Sequence, residues 1–225
     1  MKSLGKRADG ARLERMKSSA LWVGDAFRNV HPILPGLRDP AAKMPSLSDF
    51  LCADERRVPR QPLPSLNPRE AWAAPADSGL RVTWLGHSTT LVEIDGYRVL
   101  TDPVWGTRAS PSRLFGPKRF QPVPVAVGAL PAIDLVVISH DHYDHLDYPT
   151  VRELAKLGVP FVTSLGVGAH LESWGIAAQR ITELDWWETH RPDGKDLSVT
   201  AVPSDPMEAK GWRNAYFMSS SEWWK

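Results

Sequence analysis

Ser139-His140-Asp141-His142-Tyr143-Asp144-His145-Leu146-Asp147 decides the reading of this chain, and the apolar run Leu135-Val136-Val137-Ile138 stands directly before it. The nine residues hold three of the seven histidines and three carboxylates. Four consecutive apolar residues fit a strand buried on both faces. That strand should end in a rim of imidazoles and carboxylates, the groups that zinc, iron and manganese accept. His140 and His142 lie two apart, so near-extended backbone sends both rings to one side. Asp144 and His145 follow where the chain must turn. One short loop then offers His140 and His142 to one cation, and Asp144 and His145 to a second about 3.5–4 Å away. The plain alternative is a solvated polar turn. Three of seven histidines within six positions is hard to obtain from composition alone, which favours the metal reading.

The flanking pattern supports a strand–loop–helix unit. Asp147 is placed to cap a helix with Pro149 in its first turn, Val151, Leu154 and Leu157 on one face, and Gly158 at its end. Pro160–Thr163 reads as a short strand, Val167–Trp174 as a second helix stopped by Gly175, and Leu197–Val202 as a last strand. Upstream, Arg81–Leu85, Thr89–Ile94 and Tyr97–Thr101 read as strands, with Asp95-Gly96 a two-residue hairpin signal. A long loop rich in Pro, Gly, Arg and Phe spans 102–131, and loops of this length inside a domain usually serve function. The predicted class is α/β.

Residues 1–79 differ in character and are expected to form a Pro-rich, basic arm, with 80–225 as the domain proper. The first eighty residues carry nine of the twenty prolines and a net charge of +4 (13 Lys and Arg against 9 Asp and Glu). Arg57–Pro64 lacks the donors for regular backbone bonding and should be extended. Ala20–Phe27 reads as a short helix. A chain of 225 residues with a net charge of +1 has room for a substantial core and lacks a nucleic-acid signature. The single cysteine, Cys52, excludes an internal disulfide and fits a reducing compartment. The basic N-terminus is not followed by a signal-peptide core, and no apolar run is long enough to span a bilayer, so the expected location is cytoplasmic.

His140-x-His142-x-Asp144-His145 resembles the signature of the metallo-β-lactamase fold, an αββα sandwich with a dinuclear metal centre. Thr83-Trp84-Leu85-Gly86-His87-Ser88, Leu100-Thr101-Asp102-Pro103, Arg108-Ala109-Ser110-Pro111, Gly116-Pro117-Lys118-Arg119-Phe120 and Glu183-Leu184-Asp185-Trp186-Trp187-Glu188 narrow the likeness. Together they are similar to the branch of N-acyl-phosphatidylethanolamine-hydrolysing phospholipase D and its bacterial relatives, over roughly residues 80–203. The resemblance implies a zinc-dependent hydrolase with two Zn2+ per complete site, held by His140, His142, Asp144 and His145, with Asp144 also catalytic. It implies a phosphodiester substrate of the N-acylated phospholipid class, with possible peripheral contact at an anionic membrane surface. A lactone or ester hydrolase of the same fold, and an inactive metal-binding fragment, are the alternatives.

The chain departs from that family after its last predicted strand. Pro206 stands where a ligand histidine is expected, and Asp205 reads as a loop carboxylate rather than a substitute ligand. A later Asp and a last His are absent from this sequence, so four of an expected seven ligands are visible. The expectation is therefore the N-terminal half of the sandwich, C-terminally incomplete, with one sheet face lacking its cover and a second chain as one way to complete the site.

Other residues are weighed against bland roles. His87 either approaches the site or bonds to backbone. Asp102 either holds a metal-bound histidine from behind or serves as a turn residue before Pro103. His170 reads as surface or core, and His31 and His190 as ordinary. Trp186 and Trp187 are expected to pack the core. Arg113, Lys118 and Arg119 read as solvated loop charges, with phosphate contact as the sharper alternative.

Overall fold

A computed structural model describes residues 2–28, 58–112, 114–203 and 221–223. Cys52, His31, Arg113, Asp205 and Pro206 lie outside the described residues.

A six-stranded mixed sheet organises the chain. Its first half is an antiparallel meander of β3 (Leu80–Gly86), β4 (Thr89–Ile94) and β5 (Tyr97–Thr101). Ile94 pairs with Tyr97, so Asp95 and Gly96 alone make the turn, with φ of 48° and 85°. Both values lie in the left-handed region that such a two-residue hairpin needs, which is what the Asp-Gly pair supplies. The second half is parallel, through β6 (Leu135–Ile138), β7 (Phe161–Ser164) and β8 (Ile181–Leu184). Helix α3 (Tyr148–Ala155) joins β6 to β7, and α4 (Gly168–Ser173) joins β7 to β8. Two shorter helices precede the sheet, α1 (Gly10–Lys17) and α2 (Arg69–Trp72).

Each face of the sheet has its own core. Leu91, Leu100, Val136, Ile138 and Phe161 pack under Val151, Leu154, Leu171 and Trp174 from the helices. Val92, Val99, Leu135, Val137 and Val162 face the other way and meet Val199 and Ala201. Those last two come from β10 (Val199–Pro203), the middle strand of a small sheet with β9 (Thr189–His190) and β11 (Ser221–Trp223). The face expected to lack its cover is thus covered at this point. Burial on both sides explains why β6 is apolar at every position rather than at alternate ones.

The helix after the histidine loop starts as its sequence predicts. Asp147 accepts from Thr150 N at 3.2 Å, a cap worth about 1 kcal/mol. The same carboxylate accepts from Gly106 N at 3.0 Å and so ties the long 102–131 loop to the helix start. Gly158 closes the turn beyond at φ 73°. Leu157 lies past the last helical residue and is exposed, so the apolar stripe ends at Leu154.

The N-terminal segment differs from its expected form. Ala20–Phe27 is no helix but a small hairpin of β1 (Trp22–Val23) and β2 (Ala26–Phe27). Gly24, at φ 70°, makes the turn, and the Trp22 and Phe27 rings meet edge to face at 5.0 Å across it. Helix α1, unforeseen in the sequence reading, buries Met16 against Leu165, with Trp186 beside them. Arg12 fixes it by pairing with Glu172 at 2.7 Å and Glu183 at 2.6 Å. Strand β8 was also not read from the sequence, because Ile181-Thr182-Glu183-Leu184 carries a charge where a buried run would be apolar. Glu183 is spent on Arg12 and on the Gly166 and Gly168 amides, at 2.7 and 2.9 Å. Trp187 departs from the core role expected of it, being largely exposed at φ 70°.

Candidate metal centre

The histidine loop leaves the carboxyl end of β6 at the centre of the parallel half of the sheet, where α/β sheets place their sites. His145 N and Leu146 N both donate to His142 O, at 2.9 and 2.6 Å, and this turn folds the loop onto itself. The turn brings the rings together. The His140 and His142 centroids lie 4.6 Å apart, and those of His140 and His145 lie 4.0 Å apart.

His140 presents Nε2 and His142 presents Nδ1, with the two nitrogens 3.0 Å apart. Two nitrogens on one tetrahedral zinc would lie about 3.3 Å apart, given bonds of about 2.0–2.1 Å. His145 presents Nε2 toward Asp144 Oδ2 at 3.8 Å, and His87 Nε2 reaches the same oxygen at 3.0 Å. One donor atom from each of His87, Asp144 and His145 lies within 4.8 Å of the others. Neutral imidazole and carboxylate at these separations suit a borderline divalent cation, so the residues present fit the implied metal.

The support behind these donors comes from β5. Asp102 ends that strand at φ 39°, an uncommon conformation for a residue with a side chain. Its carboxylate accepts from Ser139 N at 2.7 Å, from Ser139 Oγ at 2.8 Å and from His145 Nδ1 at 2.8 Å. The proton is therefore kept on His145 Nδ1, and the Nε2 lone pair faces the cluster. The backbone is locked in turn by Thr89 Oγ1, which donates to Asp102 O at 2.8 Å. Of the two roles weighed for Asp102, the geometry matches holding a histidine from behind.

Burial, reinforced by the neighbouring His145 and His142, pushes the His140 pKa down to about 4, so the ring is neutral near pH 7. Burial works against the charged form of His145 too, but the hydrogen bond and charge of Asp102 outweigh it and raise its pKa. Asp144 is opposed by burial, yet His145, its backbone bond and His87 hold its pKa below the usual carboxylate value. At neutral pH the cluster thus has a neutral His140 and an ionised Asp144.

The structure brings His140, His142, Asp144 and His145 into one cluster and adds His87, which the sequence reading left undecided. The signal for His87 lay in its place: it follows Gly86 at the end of β3, at φ 50°, where the chain turns back toward the sheet rim. Asp141 is turned away, with Oδ2 3.7 Å from His170 Nε2. His190 sits on β9 opposite Val199, apart from the cluster.

Beside the centre opens a cavity of about 1000 Å³ whose wall includes His87, Asp144, Trp84, Arg119, Phe120 and Leu66. Trp84 is exposed on β3, and its indole Nε1 donates to His87 O at 2.7 Å, fixing the ring over the opening. This role for Trp84 was missed because an exposed strand tryptophan carries no motif.

A family model described as a beta-lactamase superfamily domain matches residues 97–215. An uncharacterized protein of Mycobacterium tuberculosis is 54% identical over 199 residues, covering 88% of this chain and 52% of that protein. N-acyl-phosphatidylethanolamine-hydrolyzing phospholipase D 1 of Caenorhabditis elegans is 38% identical over 143 residues, covering 60% of this chain and 40% of that protein. Among solved structures, a metallo hydrolase of Ignicoccus hospitalis aligns at a TM-score of 0.45 and 19% identity, over 64% of this chain and 54% of that one. The chain spans about half the length of the curated relatives it matches. With the family model matching more than half of the chain, this protein belongs to the metallo-β-lactamase superfamily and resembles its N-acyl-phosphatidylethanolamine-hydrolysing branch.

Proposed function

We propose that this chain carries the metal-binding half of a zinc-dependent hydrolase, a phosphodiesterase of phospholipase D type acting on N-acyl-phosphatidylethanolamine-like lipids. The convergence of His140 Nε2, His142 Nδ1, His145 Nε2, Asp144 and His87 at one sheet rim carries this reading. In this proposal His140 and His142 hold one cation, and Asp144 and His145 hold the second, with His87 beside it. Residues 1–79 act as an arm on the domain of 80–225. Divalent zinc in such a site supplies a Lewis acid and an acidified water.

The chain's own residues prepare that chemistry. Asp102 keeps the proton on His145 Nδ1, so Nε2 stays free as a donor atom. Burial keeps His140 unprotonated near neutrality, which spares a ligand from competing with a proton. Asp144 is ionised and accepts at Oδ2, where His87 Nε2 meets it. The cavity supplies an apolar wall beside these donors, as a lipid substrate needs. No helix among the described residues is long and apolar enough to cross a membrane. Leu114 and Phe115, both about three-quarters exposed, stand near Lys118 on the long loop and support peripheral contact with a lipid surface.

A second reading follows from the count of donors. Among the described residues, only His140 and His142 serve the first cation position, whereas catalytic zinc usually has three protein ligands. A metal-binding piece without turnover is the alternative. Elemental analysis of the purified chain, followed by hydrolysis of N-acyl-phosphatidylethanolamine vesicles with and without added zinc, tests both. About two equivalents of zinc with hydrolysis is the expected result for the complete reading. Bound metal without hydrolysis selects the alternative, and no bound metal overturns both.

A further inference from the structure

Arg119 is a half-buried cation for which the described residues provide no ion-pair partner. Its backbone N donates to Thr107 O at 2.8 Å, its Nη2 to Val104 O at 2.7 Å and its Nε to Gly106 O at 3.4 Å. These bonds hold the guanidinium plane against the long loop but use neutral carbonyls only. Asp147 pulls on its charge from farther away without forming a contact, and burial prevails, holding its pKa below the ordinary guanidinium value.

The remaining nitrogen, Nη1, has a specific neighbour. It lies against Gly86, where an added Cβ would come within 2.9 Å of it. Gly86, at φ 111°, immediately precedes His87, and His87 Nε2 is 3.0 Å from Asp144 Oδ2. The bare glycine thus leaves room for a guanidinium edge beside the candidate metal centre. Arg119, His87 and Asp144 all line the one cavity, and Trp84, Val82 and Phe120 supply apolar surface on its wall. A desolvated cation with open N–H groups is costly to leave unpaired, and a planar guanidinium pairs best with a carboxylate or phosphate.

We propose that Arg119 is a binding residue for an anionic oxygen of the phosphate class, borne by a ligand whose apolar portion lies along Trp84 and Phe120. The assignment rests on the hydrolase reading for its place in a reaction, but the site itself is made only of this chain's residues. Its charge-assisted bonds form with the oxyanion, while the backbone carbonyls keep the guanidinium in place before the ligand arrives.

The test uses the full chain, both zinc-loaded and chelator-treated, with monododecyl phosphate as probe and dodecyl maltoside as its neutral counterpart. Phenylglyoxal modification of the wild-type protein is read residue by residue by peptide mass spectrometry. Arg119 is expected to be modified in the free chain and protected by the phosphate but not by the maltoside, in both metal states. In calorimetry, Arg119→Gln should weaken monododecyl phosphate binding by roughly 10- to 100-fold, the worth of a charge-assisted hydrogen bond. Binding of dodecyl maltoside should not change. Equal modification of Arg119 with and without the phosphate, or equal protection by the maltoside, overturns the proposal, and the labelling does so without relying on the fold of the variant. Protection in a chain that binds no metal would sink the hydrolase reading and keep this site. Lack of protection in a metal-loaded, hydrolytically active chain would sink this site alone.

Discussion

His145 is gripped from behind at 2.8 Å by Asp102, which is itself bonded twice to Ser139, while His87 and Asp144 meet at 3.0 Å on the open side of the same cluster. The inner side chains of that first pair are 22% and 11% exposed, the outer ones 51% and 39%. Inner donors are anchored to two adjacent parallel strands, β5 and β6, through Asp102 at the end of one and Ser139 just past the other. Outer donors lean on each other and, through Ser88 Oγ at 3.0 Å to Asp144 O, on the end of the β3–β4 turn. The difference teaches where preorganisation resides: the sheet fixes half of the centre, and the other half has room to adjust to cation and ligand.

Four experiments press on that contrast. Asp144→Ala removes the one donor shared by His87 and His145, and the proposed zinc-dependent hydrolysis should fall by more than about 100-fold, since even residues behind metal ligands are worth roughly 10- to 100-fold. Retained turnover in a vesicle assay would break the assignment of the outer half. The next effect is on pH and concerns the metal-free protein. His140 has a folded-state pKa of about 4 against about 6.5 when unfolded, so its contribution is full above the unfolded value and lost as pH falls through the folded one. The loss over that window is on the order of 3 kcal/mol. His145 has the opposite sign: its raised pKa gives stability below about 6.5 that is lost as pH climbs through the folded value. Melting curves in chelator should therefore peak near the ordinary histidine pKa, and His140→Gln should flatten the acid limb.

Asp102→Ala comes third. It leaves His145 free to rotate, and zinc affinity in a chelator competition should drop roughly 10- to 100-fold. His87→Gln is the smallest, at most about fivefold in the same competition, the weight of an exposed hydrogen bond of up to ~1 kcal/mol. Should His87→Gln cost more than Asp102→Ala, the inner–outer distinction would be reversed.

Much of the fold was legible because the responsible signals are local. Leu135–Ile138 is apolar at every position, Asp95-Gly96 is a turn that side-chain sterics nearly dictate, and Asp147 with Pro149 starts a helix. The failures share a cause as well. Ala20–Phe27 looked helical in isolation but closes as a hairpin around Gly24, and β8 hides its strand character behind Glu183, whose charge is matched by Arg12 from 171 residues away. No window along the chain contains that partner.

The spacing His140-x-His142-x-Asp144-His145 determined by itself that imidazoles and a carboxylate would be delivered together at a strand end, because side-chain direction along extended backbone is a local property. Which atoms face inward was decided only in three dimensions. Asp102 selects the His145 tautomer from a neighbouring strand, Gly86 makes way for Arg119, and His87 arrives from the far side of a hairpin. Contacts of this kind depend on parallel and antiparallel registers that bring distant residues together, and short-range pattern carries no information about them.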